Sequence, residues 1–295
     1  MTTLNKLTAL NAPQRILLYG EPKCGKSVAA ALLAKKYKVI FFDMENALLA
    51  LLSNVPKENQ DNIEYIPLKD SQDNPVAITL LPDIIAGKQV NFCTAHSKKM
   101  CMECRKNPEA TYETVNLSGV GTETVVVLDS FTQLTDSVLG LVSKDLDIDE
   151  KLQFDHWGEM ARRLGRLLSA IQVCSFHLVA TSHEQIVTLP SKKEKLIPTL
   201  GSRNTSKQVG RYFDHLVRLE VRNRDFMQYS AQGTQINAQV GSRSNIDLTQ
   251  PGTSLFDLLE GKSAPTNVAN SPTINKESSD DVLGKKPRIL SQTSK

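Results

Sequence analysis

The stretch that decides the fold is GEPKCGKS at residues 20–27. It fits the pattern G-x-x-x-x-G-K-[ST], in which glycines let backbone N–H groups wrap around a phosphate. The apolar run RILLY at 15–19 predicts a buried strand before it, and the alanine- and leucine-rich stretch at 27–37 predicts a helix after it. The N-terminus of such a helix favours an anion. Strand, loop and helix together predict a nucleotide-phosphate site.

The positions of this loop have distinct expected roles. Lys26 is expected to reach the β- and γ-phosphates of ATP, and Ser27 to bind Mg²⁺. A chance glycine-rich turn is the alternative, but a chain of this length matches the pattern by accident in only about one per cent of cases. The other expected nucleotide contacts are Gly20, Glu21, Pro22, Lys23, Cys24, Gly25 and Val28.

Apolar runs alternate with helical patterns along the rest of the chain. Buried strands are predicted at 38–43, 63–67, 124–128 and 176–181. Helices are predicted at 46–53, 76–88 (interrupted by Pro82), 131–143, 156–174 and 254–261. The alternating runs at 213–221, 226–230 and 235–241 predict antiparallel edge strands or a hairpin. This order predicts an α/β fold with a mainly parallel sheet flanked by helices, whose ligands bind at the carboxyl ends of the strands.

Composition limits the class of protein. The 295 residues carry 35 basic and 32 acidic side chains, a net charge of +3, which argues against indiscriminate coating of nucleic acid. No apolar run approaches the roughly 20 residues of a membrane helix, so we expect no membrane partner and a cytoplasmic location. Residues 1–261 are expected to form one ATPase domain with an insert at 90–120, and 262–295 a disordered tail.

Polar residues follow three of the predicted strands. Asp129 ends VVVLD and is expected to hold Mg²⁺, although it could instead cap the next helix. Many ATPases place a catalytic glutamate directly after this aspartate, but here that residue is Ser130. The base must then come from elsewhere, and Glu45 is the candidate, with Asp43 as a structural neighbour. His183 is the candidate γ-phosphate sensor, and a capping or core histidine is the alternative.

Residues 93–104 contain the spacing C-x₂-H-x₄-C-x₂-C. Three thiolates and one imidazole suit tetrahedral Zn²⁺, and four protein ligands leave no open position, which predicts a structural zinc. A coincidental cluster of reduced thiols is the alternative. The basic residues around it could touch nucleic acid or form a solvated surface. The predicted ligands are Cys93, His96, Cys101 and Cys104.

The segment 184–211 is polar and irregular in pattern and carries six basic and two acidic residues, a net charge of +4. We expect it to be a loop that binds single-stranded DNA and that orders when ATP is bound, with a mobile surface loop as the alternative. A second, acidic and weaker candidate is 143–156. The expected DNA contacts are Lys192, Lys193, Lys195, Arg203 and Lys207.

The motifs occur in an order that resembles the RecA-like recombinase core: GEPKCGKS, FFDMENAL, VVVLDS, ARRLGRLLSAIQ, HLVATSHEQI and HLVRLEVRNR. The chain looks most like phage-type ATPases with a minimal core, several of which anneal single strands. The resemblance implies that Glu45 is the catalytic base, that His183 is the sensor, and that Arg222 or Arg224 reaches a neighbour's ATP. The large terminal domains of bacterial RecA are absent from the pattern, which puts full strand exchange in doubt.

These observations predict an ATP-hydrolysing protein that binds single-stranded DNA in recombination, annealing or repair. It is expected to form a homo-oligomer, either a ring or a filament, and to use ATP, Mg²⁺ and structural Zn²⁺. A single-stranded-DNA-binding protein is a further candidate partner. The alternatives are an ATP-gated helicase loader or interaction module and, with less support, a small-molecule kinase.

Overall fold

The fold is described from a computed structural model, which covers residues 12–147, 149–222, 225–228, 237–244, 248 and 254–261. Its strands are β1 (Arg15–Gly20), β2 (Lys38–Asp43), β3 (Ile63–Pro67), β4 (Val90–Cys93), β5 (Tyr112–Val115), β6 (Thr124–Asp129), β7 (His177–Thr188), β8 (Glu194–Pro198), β9 (His215–Arg222), β10 (Asp225–Gln228), β11 (Asn237–Ala238) and β12 (Gly241–Ser242). Its α-helices are α1 (Lys26–Ala31), α2 (Leu48–Asn54), α3 (Lys57–Gln60), α4 (Ala77–Ile85), α5 (Met102–Lys106), α6 (Phe131–Ser143), α7 (Phe154–Val173), α8 (Arg203–Gln208) and α9 (Leu255–Glu260). Short 3₁₀ helices follow α1 and α8 at Leu32–Lys35 and Val209–Tyr212.

The main sheet has the strand order β10-β9-β1-β7-β6-β2-β3. All neighbours from β9 to β3 are parallel, and β10 pairs antiparallel with β9. The α/β fold with a mainly parallel sheet is therefore confirmed. The expected antiparallel pairing of the C-terminal strands is also confirmed, because β9 pairs antiparallel with β10 and with β12. The other edge of β9 runs parallel to β1, which places β9 inside the sheet.

Burial on both faces explains why these segments are strands. Every residue of β6 is buried, and so are the last five of β1. One apolar cluster packs α4, α6 and α7 on one face, and a second packs α1 and α9 on the other. The predicted stripe on α7 is fully buried; it consists of Met160, Leu164, Leu167, Leu168 and Ile171.

The segment with Pro82, for which a helix or two short pieces were expected, forms a single helix, α4. One prediction of local structure needs correction. The segment 184–211 is not irregular: β7 continues to Thr188, β8 returns antiparallel to it, and α8 follows. Exposed lysines and other polar residues in and beside the turn hid this pattern, although the hairpin buries Val187, Leu196 and Ile197.

The insert forms a small unit of its own. Strands β4 and β5 pair antiparallel outside the main sheet, and α5 lies between them in the chain. In the part of the chain described, no helix is long and apolar enough to cross a membrane. The tail predicted for 262–295 lies outside the described residues.

Candidate nucleotide site

The phosphate loop joins β1 to α1 at the carboxyl edge of the sheet. Gly25 has φ 93° and Lys23 has φ 65°, so both lie in the left-handed region as the loop turns into the helix. Gly20 passes so close to β9 that a Cβ there would lie 2.2 Å from the Leu219 carbonyl oxygen. Any larger residue at position 20 would force the strands apart. These constraints explain the glycines of the motif.

Lys26 is buried and turns back over its own loop. Its Nζ donates to the carbonyl oxygens of Gly20 at 3.2 Å and Glu21 at 2.7 Å. The ammonium is therefore held at the mouth of the loop, where a phosphate oxygen can replace a carbonyl as its partner. This is the position expected for the phosphate-binding lysine.

Asp129 supplies a carboxylate oxygen suited to a cation. One of its oxygens accepts a hydrogen bond from the hydroxyl of Thr181, while Oδ2 is buried with no hydrogen-bond partner. Burial raises the pKa of Asp129 to about 6, against the effect of hydrogen bonds from Thr181 and Ser27. An orphaned buried oxygen beside a serine hydroxyl fits Mg²⁺ held directly or through water. Ser27 and Asp129 are thus brought together as predicted.

Glu45 lies between the phosphate loop and the two residues that face it. The Ser130 hydroxyl donates to its Oε1, and His183 Nε2 lies 3.8 Å from its Oε2. Ser130 also caps α6 by accepting from the Gln133 N–H. In the sequence, Ser130 was notable only because many ATPases have a glutamate at that position. In the structure, its hydroxyl orients the carboxylate of Glu45. Its position beside Asp129 was the signal that could have revealed this role.

Asp43 is structural, as expected. Its carboxylate accepts from the backbone N–H of Glu45 at 2.8 Å and of Ala47 at 2.6 Å, and from the Tyr65 hydroxyl. These bonds fix the turn after β2, in which Asn46 has φ 61°. Glu45 is thereby aimed away from the sheet and toward the loop of β1.

A cavity of about 500 Å³ adjoins these groups. Its lining combines the phosphate loop and α1 with Glu45, His183 and residues of α2, including Asn54. The pKa of His183 is lowered, mainly by burial and also by the positive charge of Lys26, while Glu45 opposes the shift. A neutral imidazole next to the phosphate end can donate or accept one hydrogen bond.

The four predicted zinc ligands also converge. Their ligand atoms all lie within 4.8 Å of one another, and His96 Nδ1 is 3.4 Å from Sγ of both Cys101 and Cys104. In tetrahedral zinc, with metal–ligand bonds of about 2.0–2.3 Å, ligand atoms lie about 3.5–3.8 Å apart. The Glu103 carboxylate lies 3.2 Å from the other ring nitrogen of His96, as partners of metal-bound histidines do. The group could hold one zinc ion.

The insert is tied to the loop after β3. Ser97 accepts a hydrogen bond from the Lys69 N–H at 2.9 Å, and Asn74 donates to the His96 carbonyl at 3.1 Å. In the same loop, Asp70 accepts from the hydroxyl of Ser137 on α6 at 2.8 Å. The insert is therefore connected through hydrogen bonds to the helix that begins at Ser130.

The expected DNA contacts lie on two elements rather than on one loop. Lys192 and Lys193 are exposed in the turn between β7 and β8, and Lys195 is half-buried on β8. Arg203 and Lys207 are exposed on α8. Arg222 is the last residue of β9, and its side chain is not described. Arg224 lies outside the described residues, so the predicted contact of either arginine with a neighbour's ATP stays a prediction.

A buried ion cluster escaped the sequence reasoning. Arg218 on β9 donates to Glu184 at 2.8 and 3.2 Å and to Glu220 at 2.7 Å, with 8% of the Arg218 side chain exposed. Glu184 directly follows His183, so the guanidinium joins β9 to the base of the hairpin. The alternation of apolar and charged residues in HLVRLEVR could have revealed this cluster. It was interpreted instead as an edge strand whose charged side chains face solvent.

The fold and site define a P-loop nucleotide-binding ATPase domain. The chain matches the AAA domain family over residues 12–250 and belongs to that family. No curated protein matches it. Solved structures that match include an ATP synthase subunit, NeqB, from Nanoarcheaum equitans, with 14% sequence identity and a TM-score of 0.35. The match covers 71% of this chain and 46% of that one, so the chain spans less than half the length of NeqB.

Proposed function

We propose that this ATPase domain hydrolyses ATP to drive binding of single-stranded DNA in recombination, annealing or repair. The observation that carries the proposal is the direct connection between the sensor and the basic hairpin. His183 faces Glu45 with its side chain, while its carbonyl accepts from the Thr199 N–H at 2.9 Å, just after β8. A movement of His183 is thus passed to both strands of the hairpin.

In the proposed reaction, Glu45 is the base that removes a proton from the attacking water. Ser130 holds one oxygen of the carboxylate and leaves the other facing the cavity. Lys26 and the loop N–H groups bind the β- and γ-phosphates, and Ser27 and Asp129 hold Mg²⁺, which neutralises developing negative charge when bound. His183 senses the γ-phosphate.

Charge supports DNA as the partner. Of the basic residues on the hairpin and α8, Lys192, Lys193, Arg203 and Lys207 are exposed. The hydroxyl of the buried Ser206 accepts from Gln185 at 2.9 Å, which fastens α8 to the base of the hairpin. Both groups of cations therefore move as one body with β7, so nucleotide state can change DNA affinity.

The remaining parts of the proposal concern assembly and metal. We propose structural Zn²⁺ on Cys93, His96, Cys101 and Cys104, because the donor set and spacing fit it. We also propose a homo-oligomer, ring or filament, in which Arg222 or Arg224 completes a neighbour's ATP site. The proposal further includes a relationship to phage-type annealing ATPases. It also includes a single-stranded-DNA-binding protein as a partner and a cytoplasmic location.

The test is ATPase rate with and without a dT oligonucleotide. The hairpin variant, Lys192→Gln with Lys193→Gln, should lose most of the stimulation by DNA but keep the basal rate. The control variant carries three neutralised exposed lysines elsewhere, Lys35→Gln, Lys38→Gln and Lys57→Gln, and should behave like wild type. If DNA changes neither the rate nor the sedimentation of the wild-type protein, the DNA function is wrong.

A small-molecule kinase is a second candidate because one further cavity adjoins the site. It has a volume of about 720 Å³ and is lined by polar groups on the far side of Glu45, among them Asp70, Gln133 and Asp136. An acceptor bound there would lie next to the base. Release of inorganic phosphate with no phosphorylated product would exclude this function.

A further inference from the structure

A second basic surface lies away from the hairpin. Residues 83–106 and 159–166 contain eight basic and three acidic side chains, a net charge of +5, which exceeds the +3 of the whole chain. The first range runs from the end of α4 into the Cys/His insert. The second is a part of α7 whose basic side chains face solvent. We call these two ranges the basic face.

The first part of the basic face is a groove between α4 and α7. It has a volume of about 420 Å³ and a floor of small residues that includes Ala86 and Gly165. Lys88, Arg162 and Arg166 line it. The acidic group in the groove is Asp83, which contacts Lys88 at 3.0 Å and Arg166 at 3.8 Å. A groove with small residues on its floor and basic side chains along its edges suits a chain of phosphates.

The zinc insert continues this surface. Lys99, between two of the zinc ligands, reaches Asp83 with its Nζ at 2.5 Å and so joins the insert to the groove. Beyond it, Lys98, Arg105 and Lys106 are exposed and form no ion pair within the described part of the chain. With no carboxylate of a described residue in ion-pair contact, these three cations can pair with phosphates.

The same insert exposes apolar side chains. Met100 is 79% exposed, Met102 63% and Tyr112 45%, although the insert is otherwise polar. Tyr112 stands directly opposite the ligand Cys93 in the β4–β5 pair. Apolar and aromatic side chains beside cations match unpaired bases, whose faces a duplex hides and a single strand offers.

We propose that the basic face binds the backbone of single-stranded nucleic acid, with bases against Met100, Met102 and Tyr112. This inference extends the proposed function to a second surface, separate from the hairpin. Three lost phosphate contacts reduce the salt slope of single-strand binding by about 2 and the affinity at 0.1 M salt by roughly 100-fold.

The experiment is fluorescence anisotropy of a labelled dT oligonucleotide over a range of salt concentrations. The insert variant neutralises Lys98→Gln, Arg105→Gln and Lys106→Gln, and the groove variant Lys88→Gln and Arg166→Gln. Each is compared with the control and hairpin variants defined above. We expect weaker binding and a smaller salt slope in the insert and groove variants, with zinc content and basal ATPase unchanged.

Four outcomes would overturn the inference. If the insert and groove variants bind like the control while the hairpin variant binds weakly, the basic face is not a DNA surface and the proposed function stands. If polyglutamate of equal charge displaces the oligonucleotide as well as unlabelled dT does, the partner is an acidic protein. If duplex binds this face as tightly as dT, base contact is wrong. Loss of all DNA binding in wild type removes both proposals.

Discussion

The nucleotide site and the Cys/His insert bring side chains together by different means. The nucleotide site collects Lys26, Glu45, Asp129 and His183 from the ends of four parallel strands that are far apart in the sequence. The insert collects four ligands within twelve residues. The first arrangement is held by apolar burial on both faces of the sheet.

The insert has much less to hold it. It buries Val90, Phe92, Val115 and Leu117 in the main core, but the segment between its strands packs only the three cysteines with Ala110. Burial of so little apolar surface in that segment offsets little of the conformational entropy of ordering it. The main core alone positions the residues of the nucleotide site, whereas we predict that the insert depends on a bound metal. Four predictions test this difference.

The largest effect is expected from removing zinc. Cys101→Ser removes one of four predicted ligands and should reduce zinc from one ion per chain to none. The effect on the insert should be large, because zinc binding at such sites contributes about 10–16 kcal/mol to local folding. Hydrogen exchange should then show loss of protection in residues 93–112, while the main sheet stays protected. Cys174→Ser is the matched control, since Cys174 is buried in the main core. Unchanged metal content in Cys101→Ser would refute the zinc site.

Glu45→Gln tests the preorganised site. Loss of the base should lower the ATPase rate by about 10²–10⁴-fold, and ATP affinity should stay near the wild-type value, because the phosphate contacts are untouched. Turnover and equilibrium nucleotide binding measure the two effects separately. If wild type binds ATP but turns it over slowly, and Glu45→Gln leaves that rate unchanged, the protein is an ATP-gated loader or interaction module instead.

Ser130→Ala should have a smaller effect on the same step. It removes a hydrogen bond to a charged carboxylate, and such bonds contribute about 1.5–3 kcal/mol, so we expect kcat to fall roughly tenfold or more. It also removes the cap of α6, at a cost of about 1 kcal/mol of stability. Ser130→Thr retains the hydroxyl and should recover both properties. Equal loss of kcat in the two variants would mean that Ser130 does not orient Glu45.

The smallest effect concerns acid stability. Burial and the nearby Arg15 lower the pKa of His177 to about 4. The unfolded chain therefore takes up a proton near pH 6.5 that the folded chain refuses, so stability is present above pH 6.5 and declines as pH falls toward 4. His177→Asn keeps an acceptor for the Gln14 N–H and should lessen the fall in Tm between pH 7 and 5 by a few degrees. Parallel Tm curves for both proteins would contradict this.

Much of the fold could be predicted because local patterns agree with burial in the sheet. The predicted strands at 38–43 and 63–67 match β2 and β3 residue for residue. β2 reads as an apolar run because it is buried inside the parallel sheet, and β3 pairs with it at the edge. The β7–β8 hairpin could not be read in this way. Its buried residues, Val187, Leu196 and Ile197, are interspersed with polar and exposed ones, so its pairing depends on contacts between distant segments, such as the Arg218 cluster at its base.

The sequence by itself determined the phosphate loop, the parallel core and the spacing of the zinc ligands, because each depends on residues close together in the chain. Only the tertiary structure decided how Ser130 meets Glu45, how His183 connects to the hairpin, and how the insert joins the α4–α7 groove through Lys99 and Asp83. Those contacts join segments far apart in the chain. Their geometry is set by strand order and helix packing, which no local pattern encodes.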